Sequence, residues 1–123
     1  KPNRLEAELL SGVPITGTDS LHRAAQTLLE TGLHRVFISL GADGVYAADQ
    51  SGSVTLPAPK AEMVSTTGCG DSFMAALTWA YLQGSDLERS ARAGLAASSL
   101  TMESAETIHP SMSEAELLRR MAL

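Results

Sequence analysis

Gly68-Cys-Gly-Asp71 places two glycines around a cysteine and sets a carboxylate directly behind them. Glycine takes up positive φ and lets another molecule come close to the backbone. The following residues, Ser72-Phe-Met-Ala-Ala-Leu77, begin an apolar run. The first N–H groups of a helix have no partner inside it and lie at the positive end of its dipole. A glycine turn leading into such a helix can therefore hold an anion. Asp71 is out of place in a pure anion site, because its carboxylate repels a phosphate. It can instead accept a proton from a hydroxyl that attacks one. The competing reading is that Asp71 only caps a helix over residues 71–83, a position aspartate favours.

Other groups are weighed the same way. Ser39-Leu-Gly-Ala-Asp-Gly44 puts glycines 41 and 44 behind an apolar strand. Its amides could line a nucleotide, or the segment could be a plain hairpin turn. Gly12-Val-Pro-Ile-Thr-Gly-Thr18 has the outline of a phosphate loop but lacks its lysine and contains a proline, so it is rejected. Ser72 has no glycine two residues on, where Met74 stands, and so is no elbow nucleophile. His22, His34 and His109 show no metal-ligand spacing and read as surface or packing residues. Met102, Met112 and Met121 read as core filler. Cys69 is either a thiol activated by a helix N-terminus or a small residue that fits between glycines. No histidine near it in sequence could act as its base.

Elements must position these groups. Asn3 with Glu6 three residues on is a helix start, with Leu5, Leu9 and Leu10 on one face and Gly12 and Pro14 as the stop. Asp19 is an acceptable cap for a helix over residues 20–31, closed by Gly32. Residues 35–40, 44–48 and 53–56 read as three strands separated by turns at 41–44 and 49–52. They could form an antiparallel meander, with the first strand also belonging to a larger parallel sheet. Asp86 caps a helix over residues 87–102, and Ser113 with Glu116 starts a last one. This order suggests an α/β layered fold.

The chain has 123 residues, 44% hydrophobic and 19% charged, which suits one domain with one core. A net charge of −5 argues against nonspecific binding of nucleic acid or anionic lipid. No apolar run approaches the roughly 20 residues that span a bilayer. KPNRLEAELL has no apolar region of a secretory signal. A single cysteine allows no internal disulfide, and a cytoplasmic setting is the simplest expectation. The opening Lys1-Pro-Asn3, set directly against a helix start, reads as the beginning of a piece cut from a longer chain.

Taken together, these motifs resemble the ribokinase-like (pfkB) carbohydrate kinases. Thr66-Thr-Gly-Cys-Gly-Asp-Ser-Phe73 is similar to that family's D-T-x-G-A-G-D-x-F signature, Asn3-Arg-Leu-Glu6 to its N-x-x-E motif, and Ser39–Gly44 to its nucleotide loop. All three occur in the family's order. The resemblance implies a three-layer αβα, Rossmann-like fold, of which residues 1–123 would be the C-terminal portion, without the substrate-pocket half and lid. It implies Asp71 as the base, and Gly68, Cys69 and Gly70 as an anion hole for the transferring γ-phosphoryl of ATP. Asn3 and Glu6 would organise Mg²⁺ and phosphate, Glu6 through water. Ser39, Gly41, Gly44 and Thr67 would line the nucleotide, and Leu95 would give adenine an apolar contact.

The resemblance reaches K⁺ only in part, because Ser65 stands where relatives carry Asp or Asn. KPNRLEAELLSG and Glu106-Thr-Ile-His-Pro110 look most like bacterial pseudouridine kinases. That implies phosphorylation of the 5′-hydroxyl of a nucleoside, with other sugars of the family as the alternative. The expected partners are ATP and a small sugar or nucleoside, with neither nucleic acid nor membrane, in a homo-oligomer of the full-length enzyme. A different class also remains open, in which the chain is a nucleotide-binding or merely structural fragment without turnover.

Overall fold

A computed structural model describes residues 1–61, 63–66, 68–104 and 113–122. The chain divides into two compact units, Lys1–Pro57 and Ala58–Leu123.

The first unit opens with helix α1 (Arg4–Ser11). Its start is a reciprocal cap: Asn3 Oδ1 accepts from Glu6 N at 2.8 Å, and Glu6 Oε1 accepts from Asn3 N at 2.9 Å. Two otherwise orphan donors are satisfied by one pair of side chains. Gly12 ends the helix at φ 74°. The expected leucine face exists but is not covered within the described residues: Leu5, Leu9 and Leu10 are exposed, and Ala7 is the buried residue of α1.

Helix α2 spans Thr18–Leu29, two residues earlier than expected at each end. Gly17, not Asp19, is its N-cap. The cause is Ser20, whose Oγ accepts from Thr16 N at 2.8 Å and Gly17 N at 3.0 Å, which pulls the preceding turn into the helix. The cap at the far end is Glu30, and Gly32 lies two residues beyond it at φ 103°. Leu21, Ala24, Ala25, Leu28 and Leu29 form the buried face, as their spacing requires.

Strands β1 (Arg35–Ser39), β2 (Val45–Asp49) and β3 (Gly52–Leu56) form the expected antiparallel meander in the order β1-β2-β3. Val36 pairs with Ala48 and Ile38 with Tyr46, so these four share a face and pack with α2 and Ala7 in one core. Gly44, expected in β2, belongs instead to the turn before it, at φ 98°. The β2–β3 turn is closed by Asp49, whose Oδ1 accepts from Ser51 N at 2.8 Å and Gly52 N at 3.0 Å. The Ser51 hydroxyl, also on Oδ1, holds the Asp49 carboxyl below its usual range. The expected parallel partner of β1 appears as one parallel bridge between Asn3 and Ser39.

The second unit is helical: α3 (Cys69–Leu82), α4 (Leu87–Met102) and α5 (Glu114–Met121). Asp86 caps α4 by accepting from Arg89 N at 2.8 Å. Ser113 caps α5 by accepting from Glu116 N at 3.1 Å. Ala76 and Ala80 of α3 pack with Ala93, Ala96 and Ala97 of α4 and with Leu117 of α5. Arg120 of α5 pairs with both carboxylate oxygens of Glu103. Met121 packs against this cluster as expected, whereas Met112 and His109 lie outside the described residues.

A close approach lies toward the other end of α3. A Cβ built on Gly94 would sit 2.5–2.7 Å from the ring of Phe73, which is itself only 3% exposed. The ring or the helix backbone must shift to admit a methyl group there. Gly94→Ala is therefore expected to destabilise the fold. Overpacking costs about 1–3 kcal/mol, and the helix propensity of alanine returns up to about 1 kcal/mol. Calorimetry should show a melting temperature lowered by roughly 5–10 °C; an unchanged or raised value would mean that α4 shifts freely away from the ring.

Candidate functional site

The glycine turn starts α3 earlier than the sequence suggested. Gly68 is the N-cap, at φ 83° in the left-handed region, and makes no side-chain cap bond. Cys69, Gly70 and Asp71 are the first three helical residues. The reading of Asp71 as a helix cap is thereby overturned: it lies inside the first turn. Its side chain is exposed and makes no hydrogen bond or ion pair among the described residues. A carboxylate at this place favours the helix dipole and remains open to a ligand.

The amides divide unequally. Ser72 N donates to Gly68 O at 2.9 Å, which is the first bond of the helix. Cys69 N donates to Thr66 O at 3.3 Å, so this expected anion-hole donor is partly committed to its own turn. The N–H groups of Gly68, Gly70 and Asp71 have no partner among the described residues. Nothing lies within 4 Å of a Cβ built on Gly70, so the space beside its Cα is open. Among the described residues, three donors and a carboxylate on one turn thus have no partner. Thr67, expected beside the nucleotide, lies outside the described residues.

The turn is tethered from both sides by α4. Before it, Val64 N and Ser65 N both donate to Met102 O, at 2.8 and 3.2 Å, which satisfies the last carbonyl of that helix. After it, Ser98 Oγ donates to Cys69 O at 3.1 Å, and the Ser72 and Thr101 hydroxyls are 2.6 Å apart. Ser98 and Thr101 had no signature in the sequence. The available signal was a hydroxyl spacing of four and seven residues from Gly94 on an otherwise alanine- and leucine-rich helix. Leu95, expected against adenine, is buried at 8% exposure and offers a ligand little surface.

Cys69 is half-buried, and its Sγ donates to Ser98 O at 3.6 Å. Burial pushes its thiol above the usual range. The turn therefore favours the protonated thiol, which supports the reading of a small packing residue.

In the first unit, Asn3, Glu6 and Ser39 are brought together. Ser39 N donates to Pro2 O at 3.0 Å, and Lys1 Nζ donates to Ser39 Oγ at 3.3 Å. Residues 41–43 form one turn of 3₁₀ helix, closed by Gly44 N donating to Gly41 O at 3.1 Å. Both the hairpin and the nucleotide-loop readings of 39–44 are thus compatible with one geometry, since the turn leaves Gly41 exposed. Glu6 Oε1 is committed to Asn3, whereas Oε2 has no partner among the described residues. A hard oxygen ligand with one free atom suits contact with a hydrated Mg²⁺ whose main ligands are phosphates. Among the described residues no three His, Cys, Asp or Glu side chains are grouped to hold a metal by themselves. His22 makes a 2.8 Å contact from Nδ1 to the hydroxyl of buried Tyr46, a packing role. No described helix is long and apolar enough to cross a membrane.

Residues 1–115 match the model of the pfkB family carbohydrate kinases. The chain belongs to that family. It is 37% identical over 119 residues to pseudouridine kinase of Escherichia coli K12, covering 96% of this chain and 38% of that one. Its fold is ribokinase-like α/β. A crystal structure of a candidate sugar kinase from Clostridium perfringens matches with a TM-score of 0.94 at 38% identity, covering 98% of this chain and 38% of that chain. Arabidopsis thaliana ribokinase complexed with ribose and ATP matches at 0.86 and 29% identity, over 99% of this chain and 40% of its own length. The pfkB chain described here thus spans about 38% of the curated relatives it matches.

The raised thiol affinity for its proton has a measurable consequence. Alkylation of Cys69 by iodoacetamide should be slower at neutral pH than that of free cysteine, and its rate should rise with a midpoint above that of the free thiol. A midpoint below the free thiol would restore the activated-nucleophile reading.

Proposed function

We propose that the protein is an ATP-dependent phosphotransferase that moves a γ-phosphoryl group to the hydroxyl of a sugar or nucleoside. The observation that carries the reading is the first turn of α3. Among the described residues, the amides of Gly68, Gly70 and Asp71 and the Asp71 carboxylate have no partner there. Phosphoryl transfer asks mainly for positioning and for donors aimed at developing negative charge. The amides meet the charge, and Asp71 takes the proton of the attacking hydroxyl. Asp71 therefore need not approach the phosphate oxygens at all, which removes the conflict between a carboxylate and an anion site.

Asn3 and Glu6 are assigned to Mg²⁺ and phosphate, and Ser39, Gly41 and Gly44 to the nucleotide. The partly engaged Cys69 amide makes Gly68 and Gly70 the stronger donors of the proposed anion hole. Potassium is found with one relative, Escherichia coli phosphofructokinase-2, at 30% identity. Ser65 gives this chain a weaker cation ligand at the position that matters in the family. We assign the activity to a protein of the relatives' full length, of which residues 1–123 form the C-terminal portion. A homo-oligomer is proposed by analogy with the tetrameric inhibited form of phosphofructokinase-2 from Escherichia coli.

Pseudouridine is the proposed substrate, supported by 37% identity over 96% of the chain. A second specificity has an observation of its own: Staphylococcus aureus ribokinase is also 37% identical, over 83% of this chain. A substrate panel of pseudouridine, ribose and deoxyribose separates the two. The highest kcat/KM is expected with pseudouridine, and a preference for a free pentose would replace this assignment with a pfkB sugar kinase. Independently of substrate, Asp71→Asn in the full-length protein should lower kcat by about 10²-fold or more, with ATP binding retained in calorimetry. Wild-type turnover in that variant would end the assignment of Asp71 as the base.

A further inference from the structure

The interface between α3 and α4 changes character along its length. Ala76 and Ala80 meet Ala93, Ala96 and Ala97 without directional bonds. Next to the glycine turn, three polar contacts appear instead. Ser98 Oγ donates to Cys69 O at 3.1 Å, Cys69 Sγ donates to Ser98 O at 3.6 Å, and Ser72 Oγ lies 2.6 Å from Thr101 Oγ1. Gly94, Ser98 and Thr101 are spaced by four and three residues, so they form one stripe on α4. Opposite them stand Phe73, Cys69 and Ser72, the residues around Gly70 and Asp71.

Stability alone does not require this arrangement. Thr101 is fully buried, and a buried hydroxyl costs free energy unless it is bonded. Valine would fill the same space without that demand. Buried Ser99 instead donates to Ala96 O of its own helix at 2.8 Å and accepts from Arg120 of α5 at 3.3 Å. The Ser98 and Thr101 hydroxyls of α4 both reach the first turn of α3. Their bonds fix the rotation of that turn about its axis, which packing of round alanine faces leaves loose.

Resting on the kinase reading of Asp71, we propose that Ser98 and Thr101 are positioning residues for phosphoryl transfer. They hold Cys69 and Ser72, which bracket Gly70 and Asp71, so that the free Gly70 amide and the Asp71 carboxylate keep a fixed relation. Alignment of both groups matters in the transition state more than in the ATP complex. Loss of the two hydroxyls should therefore appear in kcat and not in the KM for ATP.

The test uses the full-length protein with Ser98→Ala, Thr101→Val and the double variant, beside Asp71→Asn. The double variant is expected to lose about tenfold or more in kcat, with KM for ATP within about twofold. Thr101→Ser, which keeps the hydroxyl, should restore most of the rate to the Thr101 position. An inactive Asp71→Asn together with wild-type kcat in the double variant overturns the positioning role and leaves the kinase reading standing. Wild-type kcat in Asp71→Asn removes the kinase reading itself. A fall in kcat that merely follows a fall in folded fraction also overturns the positioning role. Should Thr101→Val fail to fold, Ser98→Ala at its half-buried site decides alone, and an unchanged kcat there refutes the proposal.

Discussion

The contact of the Phe73 ring with the bare backbone of α4 at Gly94 is the constraint on which the second unit depends. Only a residue without a side chain lets the two helices come that close. Once they do, short side chains can bridge them: a serine hydroxyl to a carbonyl at residue 69, and two hydroxyls between residues 72 and 101. A larger residue at 94 would separate the helices and stretch every one of these bonds together. The glycine turn is thus held by a packing feature eight residues into the next helix.

The same economy governs the backbone at both candidate regions. The last carbonyl of α4 is satisfied by the two N–H groups of Val64 and Ser65, and this fastens the approach to the turn. At the start of α1, Asn3 and Glu6 satisfy each other's amides. That bond consumes one Glu6 oxygen and leaves the other free, so a single carboxylate serves both the helix start and the proposed hydrated metal. At Gly68, Gly70 and Asp71, whose donors have no partner among the described residues, Gly70 and Asp71 are exposed. A free helix N-terminus is tolerable in water and becomes useful when an anion arrives.

Much of the framework was legible before any coordinates. The caps at Asn3, Asp86 and Ser113 announced their helices because side-chain capping is a local interaction over three residues. The meander was legible because turn residues at 41–44 and 49–52 separate short apolar runs. The start of α2 was misread for a physical reason of the same kind. Asp19 looks like a cap, but Ser20 reaches back to the amides of Thr16 and Gly17 and extends the helix past it. The start of α3 was misread because Gly68, with no side chain to advertise a cap, takes a left-handed conformation and admits Cys69 and Gly70 to the helix. The exposure of Leu5, Leu9 and Leu10 could not be read either, since periodicity gives a face and says nothing of what covers it.

The sequence by itself determined the residue types of the turn, the three motifs in their order and the family to which they belong. Those properties are carried by identity and spacing along the chain. Tertiary structure decided which amides remain free, that Asp71 is a member of the first turn and not its cap, that the Cys69 thiol keeps its proton, and that Leu95 is buried. It also brought Ser98 and Thr101 to the turn. Each of these depends on atoms about thirty residues apart in the chain or on the conformation of a glycine. Neither is written in local pattern, because a hydrogen bond's partner is fixed only when the helices have packed.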